Sequence, residues 1–200
     1  MGCPTVHTGG APLKGDIELA NAVLVVDMLV GFLEEGHNLY CGDEAREIIP
    51  RVRRLVEAEL EKGSEVFFPS DHHDPNDLEF NQFPVHCVKG TDEARVIKEL
   101  ADFADHAGTV IPKRRYSAFF DTDLAQRLET LKPDKLIIVG VCTDICVMHT
   151  TADARNRDYD VEIPVDCVAT FDQGAHRTAL RHMEGILGAT LVHSSATVAG

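Results

Sequence analysis

The chain has 200 residues, which is enough for one compact domain and short for two. Its composition, 44% hydrophobic and 26% charged, is ordinary for a globular protein. The formal net charge of −14 argues against binding nucleic acid or an anionic membrane through bulk electrostatics. No apolar stretch approaches the ~20 residues that span a bilayer. We therefore expect neither a nucleic-acid nor a membrane partner, while a small-molecule ligand remains open.

The N-terminus lacks a basic region followed by an apolar one, so the sequence predicts no secretory signal. The cysteines are too sparse for a disulfide scaffold, and we interpret them as reduced thiols of a cytoplasmic protein. Cys142 and Cys146 are four positions apart, which does not match the Cys-x-x-Cys spacing of redox or zinc pairs. The six cysteines are Cys3, Cys41, Cys87, Cys142, Cys146 and Cys167.

The predicted elements begin after an extended arm. Residues 1–20 show little periodicity and form this arm, which leaves 21–200 as a single domain. A buried strand over 22–27 ends at Asp27, and the apolar, Gly-punctuated residues 28–33 are interpreted as a loop.

Strand and helix alternate through the rest of the chain. Apolar runs predict six strands in all, at 22–27, 65–69, 109–112, 136–139, 161–165 and 189–193. Helical spacing of apolar residues predicts five helices, at 43–62, 92–104, 122–131, 145–157 and 172–187. Pro50 lies inside the first helical pattern and either kinks the helix or marks its true start. The alternation predicts an α/β, three-layer Rossmann-like fold, with helices on both faces of a six-stranded parallel sheet.

The most informative stretch is 136–149, where a buried strand changes abruptly into a helix. Gly140 permits a tight turn, and Thr143 and Asp144 are both good N-cap residues. Cys146 is therefore expected in the first helical turn, where free N–H groups and the helix dipole lower the pKa of a thiol. The alternative is that Cys146 is a small buried hydrophobic residue, which is the usual role of a free cysteine.

Ionisable side chains follow the predicted strand ends. Asp27 closes the first strand, Lys113 follows the third, and Cys146 follows the fourth. Because parallel strands end at one edge of the sheet, these groups are expected to meet in one crevice. A carboxylate, a cation and a thiol suit nucleophilic acyl chemistry, with the N–H groups of Cys142 and Cys146 as an oxyanion hole. Alternatively, Asp27 is a turn residue and Lys113 is a solvated cation.

The irregular segment 70–90 is long for a loop in a compact domain, and such loops are usually functional. Asp71 and His73 share one side of an extended chain because one residue separates them. Carboxylates and imidazoles together suit a divalent transition metal such as zinc, manganese or iron. The alternative is an acidic, solvated loop with incidental histidines. The candidate ligands are Asp71, His72, His73, Asp74, Asp77, Glu79 and His86.

Taken together, these residues resemble the isochorismatase-like cysteine hydrolases, and among them the nicotinamidases. The resemblance runs from about residue 22 to the C-terminus, and the order of the matching segments makes it specific for the superfamily. The matching segments are 25–28, 70–74, 83–91, 113–119 and 140–147.

The resemblance implies that Asp27, Lys113 and Cys146 form a catalytic triad, with a cis peptide bond between Val141 and Cys142. The implied reaction is hydrolysis of nicotinamide to nicotinate and ammonia through a thioester, a step of NAD salvage. Relatives with the same triad hydrolyse other small carbamoyl, ureido or maleamate-type amides, which are the alternative substrates. A protein that binds ligands or senses redox state through Cys146 without turnover is the remaining alternative, and an unshifted thiol pKa would favour it.

The resemblance also implies one divalent metal, zinc in the first place and manganese or iron as alternatives, held by Asp71, His73 and His86. Glu79 is the expected fourth ligand, because it precedes His86 by seven residues as in some nicotinamidases. Others use a His shortly after the Asp-x-His pair, and no His stands there in this chain. Siderophore-pathway isochorismatases lack the cysteine and the metal loop, which argues against isochorismate as the substrate.

In nicotinamidases the metal binds the pyridine nitrogen, so an aromatic wall would suit the substrate. The candidates are Phe32, Phe83, Tyr116 and Phe119, together with Val141. The alternative is that these aromatic residues belong to the core. The family often forms dimers or tetramers, so the expected partners are a small amide substrate and further copies of the chain.

Overall fold

The computed structural model describes residues 20–106 and 108–199, and the predicted arm falls outside this range at 1–19. The strands are β1 (Ala22–Val26), β2 (Glu65–Asp71), β3 (Val110–Lys113), β4 (Leu136–Val141), β5 (Val161–Pro164), β6 (Val168–Ala169) and β7 (Thr190–Val192). The helices are α1 (Val30–Leu33), α2 (Asp43–Arg46), α3 (Ile49–Glu61), α4 (Ala101–Ala104), α5 (Leu124–Leu131), α6 (Met148–Arg155), α7 (Gln173–Gly185) and α8 (Ser194–Ala199). None of the helices in these ranges is long and apolar enough to cross a membrane.

The strands form one parallel sheet in the order β3-β2-β1-β4-β5-β7, with β6 paired to the end of β4. The α/β prediction is confirmed, but the sheet has seven strands rather than six. The extra strand, β6, has only two residues, which is too short to show a periodic pattern. The strand order reverses between β1 and β4, and ligands of open α/β sheets bind at such a switch point.

The two faces of the sheet bury separate halves of the core. Along β1, Val23 and Val25 pack into one half, and Ala22, Leu24 and Val26 pack into the other. Helix α3 covers the first half, while α5, α6 and α7 cover the second. The result is the predicted three-layer arrangement.

Two predicted helices are wrong in their extent. The pattern over 43–62 is divided into α2 and α3, and Pro50 marks the start of α3 rather than a kink. Proline is tolerated there because the first turn of a helix needs no N–H donor. The bounds of the other three predicted helices shift only slightly, to Leu124–Leu131 for α5, Met148–Arg155 for α6 and Gln173–Gly185 for α7.

The segment 92–104 is not one helix. It contains a 3-10 turn at Asp92–Ala94 and the single turn of α4. The chain between them is extended, because Val96 forms an antiparallel bridge with Leu29 and Ile97 donates its N–H to the Met28 carbonyl. Backbone pairing with the segment after β1 therefore overrides the helical periodicity. That segment contains α1, so it is not simply the loop that was predicted.

The ends of β1 and β4 approach each other at a glycine. Gly140 has φ 111°, and a Cβ atom at this position would lie 2.0 Å from the Val26 carbonyl oxygen. The next residue of β1, Asp27, has φ 50°, a left-handed conformation that Asp adopts more readily than most residues. The two chain segments that carry the predicted base and nucleophile therefore leave the sheet side by side.

Candidate active site

The three predicted triad residues lie together at the switch point of the sheet. Asp27 follows β1, Lys113 is the last residue of β3, and Cys146 lies in the turn after β4. Lys113 Nζ is 2.7 Å from Asp27 Oδ2 and 3.6 Å from Cys146 Sγ. All three side chains are buried. A single ammonium group thus contacts both the carboxylate and the sulfur.

The turn that carries the nucleophile begins at a cis peptide bond between Val141 and Cys142, as predicted. It is a π turn over Thr143–Val147, in which the Val147 amide donates to the Cys142 carbonyl at 3.2 Å. The two predicted oxyanion donors, the amides of Cys142 and Cys146, belong to the start and the interior of this turn.

Thr143 and Asp144 do not cap the helix, contrary to the prediction, and Cys142 occupies the N-cap position. Their side chains instead join the turn to other elements. The Thr143 hydroxyl lies 2.9 Å from His176 Nδ1 on α7, and Asp144 accepts a hydrogen bond of 2.5 Å from the Thr170 hydroxyl beyond β6. The local sequence predicts an N-cap here, but both side chains form hydrogen bonds with residues distant in the sequence instead.

Burial dominates the ionisation of the predicted nucleophile. It raises the pKa of the Cys146 thiol well above its usual value; the Lys113 charge opposes this shift, and the Asp27 charge adds to it. The expectation of a lowered thiol pKa at the helix start is therefore wrong for this structure. Burial also raises the pKa of Asp27 to about 7, with the Asp71 charge acting in the same direction and Lys113 against it. A protonated thiol beside a carboxyl group that titrates near neutrality suits proton transfer during attack.

The predicted metal ligands lie against the triad and share Asp71 with it. Asp71 Oδ1 is 2.5 Å from Lys113 Nζ, while Oδ2 is 3.6 Å from His73 Nε2 and 3.8 Å from His86 Nε2. Glu79 Oε1 lies 3.9 and 4.0 Å from the same two nitrogens. The structure thus brings together all four residues named from the sequence.

The orientation of the imidazoles tests whether this cluster fits a metal. His86 Nδ1 lies 2.8 Å from the Pro84 carbonyl, and His73 Nδ1 lies 3.2 Å from Asp77 Oδ2. Each ring therefore carries its proton on Nδ1 when neutral, which leaves the Nε2 lone pair free. His73 Nε2 is buried and has no hydrogen-bond partner among the described residues. Such nitrogens beside carboxylate oxygens fit a divalent metal such as zinc.

Other candidates from the same loop lie outside the ligand cluster. His72 directs Nδ1 to the Ser70 carbonyl at 3.2 Å, and Asp74 is exposed to solvent. Asp77 contacts His73 on the side away from the cluster, through Nδ1 rather than Nε2. The alternation of an extended chain explains the difference between His72 and its neighbours, because successive side chains point to opposite sides.

One cavity is lined by residues of both groups, by Asp27 and Cys146 of the triad and by Glu79 and His86 of the candidate metal site. Its walls include four of the residues proposed from the sequence, namely Phe32, Phe83, Tyr116 and Val141. Sequence reasoning missed three further lining residues, Leu39, Ile145 and Phe171. Phe171 follows β6, so recognising that short strand would have placed it at the same sheet edge.

Phe119 is a correction to the predicted pocket wall. Its ring does not line the cavity but packs in the core half that contains Leu124 and Leu128 of α5. The guanidinium of Arg157 lies 4.8 Å from the ring centre. The side chain is 5% exposed, so burial of its apolar area against α5 explains its position.

The five cysteines of the described ranges are not joined by disulfide bonds. Cys142 Sγ lies 3.6 Å from Cys41 Sγ. The thiol next to Cys142 is therefore Cys41, a distant residue in the sequence. The short spacing between Cys142 and Cys146 did not suggest this contact.

The isochorismatase domain family matches residues 21–195. The chain belongs to this family and is an isochorismatase-like hydrolase. The pyrazinamidase/nicotinamidase of Streptococcus mutans UA159 is 35% identical, with a TM-score of 0.82 over 86% of this chain and 100% of that chain. The pyrazinamidase of Pyrococcus horikoshii in complex with zinc is 29% identical, with a TM-score of 0.78 over 86% and 98%. The N-carbamoylsarcosine amidase of Thermoplasma acidophilum is 30% identical, with a TM-score of 0.77 over 88% and 97%.

Proposed function

We propose that this hydrolase is a metal-dependent nicotinamidase, which converts nicotinamide and water to nicotinate and ammonia. The observation that carries the proposal is the shared cavity, which is lined by Cys146 of the candidate triad and by His86 and Glu79 of the candidate metal site. Its aromatic walls suit a flat ring. The similarity to the pyrazinamidase/nicotinamidase of S. mutans supports the same substrate class.

Asp71, His73, Glu79 and His86 would hold the metal, and zinc is the proposed ion because a similar pyrazinamidase was solved with zinc. A metal bound there would supply a Lewis acid for the ring nitrogen of the substrate.

The reaction itself is assigned to the triad. Cys146 Sγ attacks the amide carbon while Asp27 takes the thiol proton, and the amides of Cys142 and Cys146 stabilise the oxyanion. Asp27 then gives this proton to the departing nitrogen, so that ammonia leaves and a thioester remains. Water attacks the thioester with Asp27 as general base, and the thiol and the acid are released. Lys113 stays charged throughout and compensates the negative charge of Asp27.

A second candidate substrate class is a small carbamoyl, ureido or maleamate-type amide. The observation in its favour is the similarity to the N-carbamoylsarcosine amidase of T. acidophilum. The chain resembles this amidase about as much as it resembles the zinc-containing pyrazinamidase. A place in NAD salvage, a cytoplasmic location and a dimeric or tetrameric assembly stay predictions that accompany the first proposal. Light scattering of the purified protein would measure the assembly.

The test is ammonia release from nicotinamide by zinc-loaded protein, beside the same preparation after treatment with a chelator. The proposal predicts release that chelation removes and added zinc restores. N-carbamoylsarcosine serves as the competing substrate in a parallel assay. Release from this compound alone would replace nicotinamide with the second substrate class, and release that is indifferent to chelation would remove the metal from the proposal.

A further inference from the structure

We propose that Asp77, supported by Arg115, is a positioning residue that fixes the ring orientation and tautomer of His73 and so sets the affinity of the site for its metal. The inference rests on the metal site of the proposed function. It concerns two residues outside the four candidate ligands: Asp77 contacts His73 through Nδ1 rather than Nε2, and Arg115 contacts Asp77.

Both carboxylate oxygens of Asp77 are engaged. Oδ2 lies 3.2 Å from His73 Nδ1, and Oδ1 accepts hydrogen bonds from the Glu79 amide at 3.0 Å and from Arg115 Nη1 at 2.9 Å. The side chain of Asp77 is only 2% exposed. One buried carboxylate therefore holds the ring of one candidate ligand and the backbone of another.

The contact with His73 determines which nitrogen faces the metal. An ionised carboxylate only accepts hydrogen bonds, so His73 must carry its proton on Nδ1. Its Nε2 lone pair then faces Asp71 Oδ2 at 3.6 Å and Glu79 Oε1 at 3.9 Å. A carboxylate on the far nitrogen also makes an imidazole a stronger metal ligand.

Arg115 supplies the charge that this arrangement needs. Three carboxylates, those of Asp71, Asp77 and Glu79, surround His73. Arg115 Nη1 lies 2.9 Å from Asp77 and 3.8 Å from Glu79 Oε2, and its side chain remains 33% exposed. The end of β3 thus contributes Lys113 to the triad, and Arg115, two residues further on, contributes to the metal loop.

A purely structural role for Asp77 is the competing explanation, because Asp77 also caps the 3-10 turn Leu78–Asn81 through the Glu79 amide. Asp77→Ser keeps a capping oxygen and removes the contact with His73. Asp77→Asn keeps the shape, but its amide can present a donor to Nδ1, which would move the proton of His73 to Nε2 and block that nitrogen. Asp74→Asn is the matched control, since it removes the same charge from an exposed position of the same loop.

The experiment is titration of the metal-free protein with zinc in competition with a chromophoric chelator, followed by the absorption spectrum of the cobalt-substituted protein. Asp77→Ser and Asp77→Asn should weaken zinc binding by about 10–100-fold and alter the cobalt spectrum, while Asp74→Asn should match the wild type. If the wild type binds no zinc, the metal of the proposed function fails. If the wild type and both Asp77 variants bind zinc equally, only this inference fails.

Arg115→Met keeps the test available should the Asp77 variants not fold. It leaves the capping carboxylate in place and removes its cationic support. We expect weaker zinc binding than in the wild type, with an unfolding midpoint of the metal-free protein within a few degrees of the wild type. Wild-type zinc affinity in this variant, together with unfolded Asp77 variants, would overturn the inference.

Discussion

Lys113 Nζ lies 2.7 Å from Asp27 and 2.5 Å from Asp71, so one buried ammonium joins the candidate triad to the candidate metal site. Burial would raise the pKa of Asp71, but the charge of Lys113, the imidazole of His73 and the hydrogen bond from Lys113 hold this pKa well below its usual range. The same burial raises the pKa of Asp27 to about 7, and the Asp71 charge adds to this shift. Two carboxyl groups on one cation thus receive opposite shifts, which suits Asp71 as a permanent anion and Asp27 as a proton carrier.

Replacing this ammonium should destabilise the protein. Lys113→Met leaves Asp27 and Asp71 buried beside each other without a cation, and we expect a loss of about 3–5 kcal/mol in the free energy of unfolding, together with loss of amide hydrolysis. Urea unfolding monitored by circular dichroism measures the first effect. Lys89→Met, at an exposed position, is the control and should change stability by less than about 0.5 kcal/mol. Equal stability of the two variants would contradict the pairing.

Removing the sulfur should abolish turnover without unfolding the chain. Cys146→Ala is expected to lower kcat by about 10⁴-fold or more, because no other group in the proposed mechanism attacks the amide carbon. Cys167→Ala, in the core half that α3 covers, should cost stability and leave kcat near the wild-type value. Ammonia release measures kcat. Equilibrium dialysis with nicotinamide measures substrate binding, which a folded variant retains. Turnover of Cys146→Ala near the wild-type rate would contradict the role of Cys146 as the nucleophile.

Two phenylalanines distinguish the pocket wall from the core. Phe83 lines the cavity, and its ring centre lies 6.4 Å from those of His86 and Tyr116. Phe83→Leu should raise KM for nicotinamide by about threefold to tenfold through loss of aromatic contact, with little change in the unfolding midpoint. Phe119→Leu should lower the midpoint and leave KM unchanged. Steady-state kinetics measures KM, and thermal unfolding measures the midpoint. A raised KM with an unchanged midpoint for Phe119→Leu would mean that Phe119 lines the substrate pocket after all.

The approach of β1 and β4 predicts a large effect at one glycine. Gly140→Ala places a Cβ atom 2.0 Å from the Val26 carbonyl oxygen and forces an unfavourable φ, so we expect a loss of stability of about 3 kcal/mol or more. Gly185→Ala, at the end of α7 with no heavy atom within 4 Å of the added carbon, should instead stabilise by up to about 1 kcal/mol. Denaturant unfolding of both variants measures the change in the free energy of unfolding. No change for Gly140→Ala would mean that β1 and β4 can move apart to accommodate the added carbon.

Glu59 predicts how stability depends on pH at the amino ends of the strands. Burial would raise its pKa, but hydrogen bonds from Ser64, Asn21 and Lys62 lower it below the usual 4.5. A lowered folded-state pKa contributes stability that is complete above about 4.5 and is lost as the pH falls through the folded-state value. Glu59→Gln should therefore be less stable than the wild type at pH 7. The difference in the free energy of unfolding between the two proteins, measured by urea unfolding, should become smaller below pH 4.5.

The control for this pH dependence is Glu57→Gln on the same helix, whose side chain is 45% exposed and pairs with Arg53. Solvent screens such a pair, so its stability gap should be small at every pH. A gap for Glu59→Gln that is constant from pH 7 to pH 3 would mean that the carboxylate form of Glu59 contributes nothing.

Helix extent and ionisation were the least accessible from sequence. The pattern of 92–104 is helical, yet pairing of Val96 with Leu29 makes its middle extended. The first turn of a helix favours a thiolate at Cys146, yet burial raises the pKa of that thiol. In both cases a local tendency of a few residues is outweighed by contacts with distant parts of the chain.

The sequence by itself determined the alternation of strands and helices, the family, and the identity of the groups at the sheet edge. This was possible because buried parallel strands are continuous apolar runs, and because their carboxyl ends share one edge whatever the details of the loops. Only the tertiary structure decided that Lys113 contacts two carboxylates at once, that Phe119 belongs to the core, and that Asp77 lies against Nδ1 of His73. These facts depend on distances between segments far apart in the chain, and on which face of a loop is desolvated, neither of which residue spacing encodes.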